Sequence, residues 1–226
     1  MTFTSTRPHS IDELFSRASE LAGQRFGDLA ARADLAIPAD LRRDKGWVGM
    51  LLEHYLGATA GSKPTQDFPE LGVELKTLPV DAAGQPLETT FVCVAPLTNI
   101  EGIQWRSSNV YNKLQCVLWL PIDGRRSVPL AERVVGSAFI WQPSAEQELC
   151  LQQDWEEHMD RIALGQVESI TARQGSALQI RPKAADGSAL TDAYGPDGGI
   201  IQVRPRGFYL KKNFTRQLIQ QVFNAV

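Results

Sequence analysis

The sequence predicts a mixed α/β protein in which helices flank a mixed central sheet and two lobes enclose a cleft. Segments with helical apolar spacing alternate with short runs rich in β-branched and aromatic residues. Helix-capping patterns precede two of the helical segments, and no internal repeat or low-complexity tract interrupts the 226 residues. Such mixing of the two periodicities along one chain is typical of layered α/β folds.

The first third of the chain predicts two helices followed by a strand. Ser10-Ile11-Asp12-Glu13 fits a capping box, which predicts a helix that runs to about Ala22. Apolar residues at helical spacing between Val48 and Leu56 predict a second helix, from near Lys45 to Gly57. The stretch 58–67 has the composition of a loop, and the apolar residues after it predict a strand.

The remaining elements follow in order. A turn-rich connection (81–88) precedes three strand-like segments, 89–97, 116–122 and 136–141. Ser144 caps a long helix that is expected to reach about Ile162, with core candidates Leu149, Trp155, Met159 and Ile162. Residues 168–184 indicate a hairpin that turns at 174–176, and 207–215 a short strand before a C-terminal helix that begins at Thr215.

The net charge is small, but acidic and basic residues are concentrated in different segments of the chain. The formal net charge is −3, yet 144–160 holds six acidic and no basic residues, and 201–226 holds five basic and no acidic ones. This distribution can build a basic face suited to nucleic acid on a net-acidic protein. It can equally give two solvated helical surfaces, and composition does not decide between the two.

The cysteines and histidines exclude several enzyme classes. The three histidines are dispersed, and no zinc-hydrolase, nucleophile-elbow or P-loop motif occurs. The three cysteines are also far apart and indicate buried thiols in a reducing compartment: Cys93, Cys116 and Cys150. No apolar run approaches the roughly 20 residues that span a bilayer. A cytoplasmic protein without membrane attachment is expected, and any metal chemistry must come from carboxylates.

One strand carries charges of both signs on a single face. Asp67, Glu74 and Lys76 form the spacing D-x6-E-x-K, and Glu74 and Lys76 point to the same side of the strand because side chains alternate. Two carboxylates with a lysine suit phosphodiester hydrolysis with Mg²⁺, which needs few protein ligands when a phosphate supplies the rest. Glu53, on the preceding helix, could supply a further carboxylate. The alternative is an exposed strand with a surface ion pair worth about 0–1 kcal/mol.

Several long blocks extend this pattern into a family resemblance. In order from about Leu41 to Phe214 they are LRRDKGWVGMLLE, GSKPTQDFPELGVELKTLPVD, PLETTFVCVAPL, IALGQVESITAR, LQIRPKA and RGFYLKKNFT. Together they resemble the MutH family, the strand-nicking endonucleases of methyl-directed DNA mismatch repair. The resemblance implies one endonuclease domain over 1–226 with a restriction-endonuclease-like fold and DNA in the cleft between two lobes. Catalytic residues are then expected within about 45–115, and DNA-contacting elements within about 170–216.

The resemblance also assigns the catalytic residues. It implies Mg²⁺-dependent nicking of the unmethylated strand at hemimethylated GATC, with the catalytic acids and lysine at Asp67, Glu74 and Lys76. The helix glutamate of the family falls on Glu53, and a further lysine near the active site falls on Lys113. Gln66 stands where related nucleases often have proline, a mild departure because proline is not a metal ligand.

The same resemblance points to residues that contact DNA. Arg181, Pro182 and Lys183 are expected to approach base edges in the major groove, where arginine and lysine suit guanine. Tyr209 is the expected methyl sensor, with Phe91 near it. Three lysines are expected to contact phosphates, which position the protein without specifying sequence: Lys45, Lys211 and Lys212.

Partners and alternatives follow from the family. The resemblance implies action on double-stranded DNA with hemimethylated or unmethylated GATC sites and stimulation by MutL, with MutS acting through MutL. A chain of 226 residues with one catalytic constellation fits nicking as a monomer. A second hypothesis is a GATC-specific restriction endonuclease that cuts both strands as a dimer. A third is a DNA-binding adaptor that kept the fold and lost the chemistry, which the presence of Asp67, Glu74 and Lys76 disfavours.

Overall fold

The computed structural model describes residues 6–41, 43–44, 46–61, 63–183 and 188–223. Within these ranges six α-helices occur: α1 (Ile11–Glu20), α2 (Phe26–Arg32), α3 (Trp47–Leu56), α4 (Asn109–Leu114), α5 (Ala145–Ala163) and α6 (Lys212–Phe223). The same ranges contain eight strands: β1 (Glu74–Val80), β2 (Thr90–Val94), β3 (Val117–Asp123), β4 (Phe139–Trp141), β5 (Leu178–Pro182), β6 (Thr191–Tyr194), β7 (Ile200–Val203) and β8 (Arg206–Leu210). The predicted mixed α/β class is confirmed.

Capping explains where the predicted helices begin and end. The Ser10 side chain accepts the Glu13 backbone N–H at the start of α1, and Ser144 forms a capping box with Gln147 at the start of α5. Gly57 ends α3 in the left-handed region at φ 75° and donates its N–H to the Glu53 carbonyl. The short helix α2 was not predicted.

The chain divides into two compact units. The first comprises the described residues of Met1–Glu88 and Gln115–Gln142 and contains α1–α3 with a sheet of order β1-β3-β4. In this sheet β1 and β3 are parallel, and β3 and β4 are antiparallel. The chain leaves the unit between β1 and β3, since residues 89–114 belong to the second unit. β3 is buried along nearly its whole length, as expected for a strand covered on both faces.

The second unit comprises the described residues of Thr89–Leu114 and Pro143–Ala225. Its larger sheet is antiparallel, with β8 between β2 and β5, and β6 and β7 form a separate two-stranded sheet. The helix α5 packs against β5. Its buried stripe includes Asp154 and His158, so this stripe is not purely apolar.

Several expectations differ from the structure. The described strands form three small sheets rather than one central sheet, because β2 lies in the crossover between β1 and β3 and pairs with the distant β8. The predicted hairpin at 168–184 is wrong, since only 178–182 is a strand and its partner is also β8. Leu149 is 54% exposed because it lies outside the stripe of α5 that contains Trp155, Met159 and Ile162. α6 begins at Lys212 rather than Thr215.

The cysteines behave largely as expected. Cys93 and Cys116 are buried, Cys150 is half-buried, and none of these three thiols is part of a disulfide. Burial raises the pKa of the Cys116 and Cys150 thiols, which disfavours the reactive thiolate. None of the helices in the described ranges is long and apolar enough to cross a membrane.

Candidate functional site

A tight turn brings Asp67 beside the strand β1. Phe68 and Val73 are both buried and exchange two backbone hydrogen bonds, of 2.9 and 3.2 Å, which close the turn. Gly72 supplies the left-handed backbone inside it, at φ 66°. The Asp67 carboxylate consequently accepts the backbone N–H of Leu75 at 2.8 Å. Six intervening residues are thus folded back, and Asp67 lies beside the residue that separates Glu74 from Lys76.

Glu74 and Lys76 form an ion pair on one face of β1. The Lys76 Nζ lies 2.6 Å from the Glu74 Oε1, and their side chains are 11% and 3% exposed. Leu75, on the opposite face, is buried in the core of the first unit. A pair this buried is not the surface ion pair of the alternative interpretation, and desolvation makes such pairs poor sources of stability. Folding stability alone therefore does not explain the pair.

The three residues, named here the carboxylate–lysine cluster (Asp67, Glu74 and Lys76), have a donor set that fits a hard cation. Within the described ranges no group of three or more His, Cys, Asp or Glu side chains is placed to hold a metal ion. Mg²⁺ does not require such a cage, because one or two carboxylates suffice when water and substrate phosphate complete its coordination. The cluster supplies two carboxylates and therefore fits a cation shared with a substrate.

The other two predicted catalytic residues lie on different elements. Glu53 is in the last turn of α3, a helix that packs against β1. Lys113 is near the end of α4, in the second unit. The structure therefore pairs Glu74 with Lys76, holds the Asp67 carboxylate on the N–H of the intervening Leu75, and places Glu53 on a neighbouring element of the same unit.

Two aromatic side chains form a pair on the larger sheet of the second unit. Phe91 on β2 lies opposite Tyr209 on β8, and their ring centroids are 5.3 Å apart in an edge-to-face arrangement. The register of the β2–β8 pair shifts between Phe91 and Cys93, which is a β-bulge at Val92. The bulge lets Val92 and Cys93 both be buried while Phe91 stays half-buried. Phe91 therefore lies near Tyr209, as the resemblance implied.

Two cations from the β5 end lie over these rings. The Arg181 guanidinium carbon is 5.8 Å from the centroid of Tyr209, and the Lys183 Nζ is 4.3 Å from the centroid of Phe91. Both cationic residues are exposed, as is Pro182 between them. We call these four residues the aromatic–basic cluster (Phe91, Arg181, Lys183 and Tyr209). It combines two exposed positive charges with two half-buried aromatic rings.

Local hydrogen bonds fix the basic residues of this cluster. The Arg181 Nη1 donates to the Thr89 Oγ1 at 2.9 Å, and the Lys183 N–H donates to the Pro205 carbonyl at 2.7 Å. Burial raises the pKa of Tyr209, with the Arg181 charge opposing it. Tyr209 therefore keeps a neutral hydroxyl near neutral pH, which can donate or accept a hydrogen bond.

The remaining basic residues have different surroundings. The Lys211 Nζ donates to the carbonyls of Arg173 and Gly175, so this ammonium already fastens a loop of its own unit. Lys212 is the exposed first residue of α6. Lys45 lies outside the described residues.

A buried carboxylate, not predicted from the sequence, supports the strand β5. Asp154 on α5 accepts the backbone N–H groups of Ser176, Ala177 and Leu178 at 2.7–2.9 Å. Leu178 begins the strand that ends at Arg181 and Pro182. A signal was present, because Asp154 interrupts the apolar stripe of α5, where a carboxylate needs hydrogen-bond partners. Thr89 had no such signal, since its partner is distant in sequence.

Comparison with known proteins identifies the family of the chain. The family model described as "DNA mismatch repair enzyme MutH" matches residues 56–154. The DNA mismatch repair protein MutH of Serratia proteamaculans is 62% identical over 216 residues, which cover 96% of this chain and 95% of that protein. The MutH protein of Klebsiella pneumoniae is 58% identical over 219 residues (97% and 95%), and that of Vibrio cholerae 56% over 216 (96% and 98%). The chain therefore belongs to the MutH family of DNA mismatch repair enzymes.

Proposed function

We propose that this protein is a Mg²⁺-dependent endonuclease that nicks the unmethylated strand of hemimethylated GATC sites during DNA mismatch repair. The observation that carries the proposal is the carboxylate–lysine cluster, in which a buried Glu74–Lys76 pair lies beside a carboxylate held by the Leu75 N–H. Membership of the MutH family supports the repair role. A restriction-endonuclease-like fold, with two lobes and DNA in a cleft, belongs to the same proposal and comes from the family resemblance.

The residues of the cluster have separate roles in this proposal. Asp67 and Glu74 would hold Mg²⁺, which when bound polarises the phosphoryl group and lowers the pKa of water. Lys76, whose ammonium is 2.6 Å from Glu74, offsets charge that develops on the phosphate and orients the attacking water. Burial strengthens these electrostatic effects because little water screens them. Glu53 and Lys113 would be the two remaining residues with a role in catalysis.

The aromatic–basic cluster is proposed to recognise the site and its methylation. Arg181 and Lys183 are exposed and carry the hydrogen-bond donors that suit guanine O6 and N7, with Pro182 between them. Adenine presents an N6 amino group in the same groove, and methylation removes one of its donor hydrogens and adds bulk. Tyr209, held against Phe91, is the proposed sensor of that change. Tyr209→Ser should narrow the difference in nicking rate between the two strands, and an unchanged difference would remove Tyr209 from this role.

The wider contacts and partners complete the proposal. Lys45, Lys211 and Lys212 would contact phosphates, which makes affinity fall steeply with salt. The Lys211 ammonium already donates to two loop carbonyls. To contact a phosphate it would either keep these hydrogen bonds or exchange them for bonds to the phosphate. The protein would act in the cytoplasm as a monomer, without membrane attachment, and be stimulated by MutL with ATP, with MutS acting through MutL.

One experiment tests chemistry, specificity and partner together. Purified protein is incubated with a supercoiled plasmid that carries a single hemimethylated GATC site, in Mg²⁺, with and without MutL and ATP, and the break is mapped to its strand. The proposal predicts nicks in the unmethylated strand, formed faster with MutL. Cleavage of both strands would favour the dimeric restriction endonuclease, and DNA binding without any cleavage would favour the adaptor.

A further inference from the structure

Gly207 lies at the centre of the aromatic–basic cluster, at a position where no side chain fits. On β8 it pairs with Val94 on one side and with Arg181 on the other, and it shares a face with Tyr209 two residues along. Its φ lies outside the left-handed region, so the strand does not need the backbone freedom of glycine there. Position 207 therefore requires glycine because the sheet has no room for a side chain there.

The Phe91 ring fills the space that this missing side chain leaves. A Cβ atom at position 207 would lie 2.8 Å from the Phe91 Cε2, 3.2 Å from the Cys93 carbonyl oxygen and 3.3 Å from the Tyr209 Cε2. The first distance is well below van der Waals contact, so the ring would have to move. The backbone carbonyl of Cys93 limits any compensating shift of β8.

Movement of Phe91 would reach the whole cluster. Its ring is packed edge-to-face on Tyr209, and the Lys183 ammonium lies over it. Arg181, the register partner of Gly207, has its guanidinium above Tyr209. One added methyl group therefore disturbs both rings directly and both cations through the rings, although it touches no exposed polar group.

We propose that Gly207 is a specificity-determining residue of strand-selective nicking: its bare backbone seats Phe91 against Tyr209 and so sets the position of the surface that distinguishes methylated from unmethylated adenine. This inference rests on the proposed function. Gly207 acts through the two aromatic side chains and is thus a positioning residue, so its substitution alters strand preference rather than the chemistry of phosphodiester cleavage.

The test is a double-mutant cycle on the strand preference, defined as the ratio of nicking rates on the unmethylated and methylated strands. Gly207→Ala should lower this ratio by about three- to tenfold, the size of an aromatic-pair contribution. Phe91→Leu removes the Cε2 atom that the added methyl would meet. On that background Gly207→Ala should change the ratio by no more than about twofold. Gly199→Ala, with no atom within 4 Å of its Cβ and no left-handed backbone, is the matched control and should leave the ratio unchanged.

Each other outcome is decisive. An unchanged ratio in Gly207→Ala, or effects of the two substitutions that multiply, overturns the inference while the proposed function stands. A wild-type protein that does not nick, or nicks both strands equally, overturns the proposed function and the inference with it. If Gly207→Ala alone does not fold, the Gly207→Ala/Phe91→Leu variant should fold and keep the Phe91→Leu ratio. A misfolded double variant would show that the contact with Phe91 is not what position 207 requires.

Discussion

The two clusters of this molecule are built in opposite ways. The carboxylate–lysine cluster lies within ten consecutive residues, closed by one turn and one backbone hydrogen bond to Asp67. The aromatic–basic cluster takes Phe91, Arg181 and Tyr209 from three strands, β2, β5 and β8, and Lys183 directly follows β5; these parts are joined only by the pairing register of the strands. One cluster is specified by local sequence, whereas the other exists only once distant strands have paired.

The two clusters also differ in their exposure to solvent. The Glu74–Lys76 pair is almost completely buried, where charges interact strongly. Arg181 and Lys183 are exposed and lie over half-buried rings, so their charges are available to a partner. We infer that the proposed chemistry depends on a rigid local motif and that proposed recognition depends on tertiary packing. Variants of the two clusters and of their supports test this division, from the largest expected effect to the smallest.

Removal of one carboxylate charge should abolish cleavage without affecting DNA binding. Glu74→Gln keeps the shape of the side chain but removes the charge that pairs with Lys76, and we expect nicking to fall by about 10²–10³-fold. Glu70→Gln in the same turn is the control, because Glu70 is exposed and pairs with Arg7 at the surface. Single-turnover nicking and DNA binding would be measured for both variants. A Glu74→Gln protein that nicks at the wild-type rate would contradict the assignment of the cluster.

Removal of the support beneath β5 should destabilise the second unit. Asp154→Ala leaves the N–H groups of Ser176, Ala177 and Leu178 without their acceptor, and we expect a loss of about 3 kcal/mol in the free energy of unfolding. Asp160→Ala, exposed on the same helix, should change it by less than about 0.5 kcal/mol. Urea denaturation measures both. Equal stability of the two variants would show that the loop does not need this carboxylate.

Loss of one exposed cation should weaken discrimination between DNA sequences. Arg181→Ala removes the guanidinium held by Thr89 and Tyr209, and we expect the binding preference for GATC over a site with one changed base pair to shrink by about 1–3 kcal/mol. The control is Arg126→Ala, an exposed arginine of the first unit. Competition binding with the two duplexes gives the preference directly. A uniform loss of affinity for both duplexes would instead indicate a phosphate contact.

A buried histidine should make stability depend on pH. His158 is fully buried, and burial lowers its pKa below the ordinary value of 6.5, opposed by a hydrogen bond to the Leu178 carbonyl. The unfolded chain then binds more protons than the folded one below about pH 6.5, so stability should fall there by at most about 1.4 kcal/mol per pH unit. His158→Gln removes this titrating group, so the free energy of unfolding should depend less on pH between about pH 8 and about pH 5.5. His9→Gln, at an exposed position, is the control variant. Identical slopes in all three would exclude His158 as the cause.

Local signals account for what could be predicted. Ser10, Ser144 and Gly57 mark helix ends through bonds within a few residues, and the alternation of side chains along β1 placed Glu74 and Lys76 on one face. The carboxylate–lysine cluster could be predicted for the same reason. The family resemblance, rather than periodicity, joined Phe91 to Tyr209.

The features that could not be predicted from the sequence depend on contacts between segments that are distant in the chain. Nothing near Phe91 shows that β2 pairs with β8, more than 100 residues away, or that the register of this pair shifts after Phe91. The segment 168–177 resembled a strand but is held as a loop by Asp154 and Lys211, both remote in sequence. Gly207 carries no local sign of its importance, since only the packed structure shows that Phe91 occupies its side-chain space.

The most direct test of the division between the two clusters compares Lys76→Ala with Tyr209→Ser on one hemimethylated GATC duplex, in Mg²⁺ with MutL and ATP. The nicking rate on each strand and the affinity for DNA are measured for both. We predict that Lys76→Ala binds the duplex but does not nick either strand, and that Tyr209→Ser nicks both strands with a reduced preference for the unmethylated one. Near-normal nicking by Lys76→Ala, or loss of cleavage on both strands with unchanged preference in Tyr209→Ser, would contradict the account.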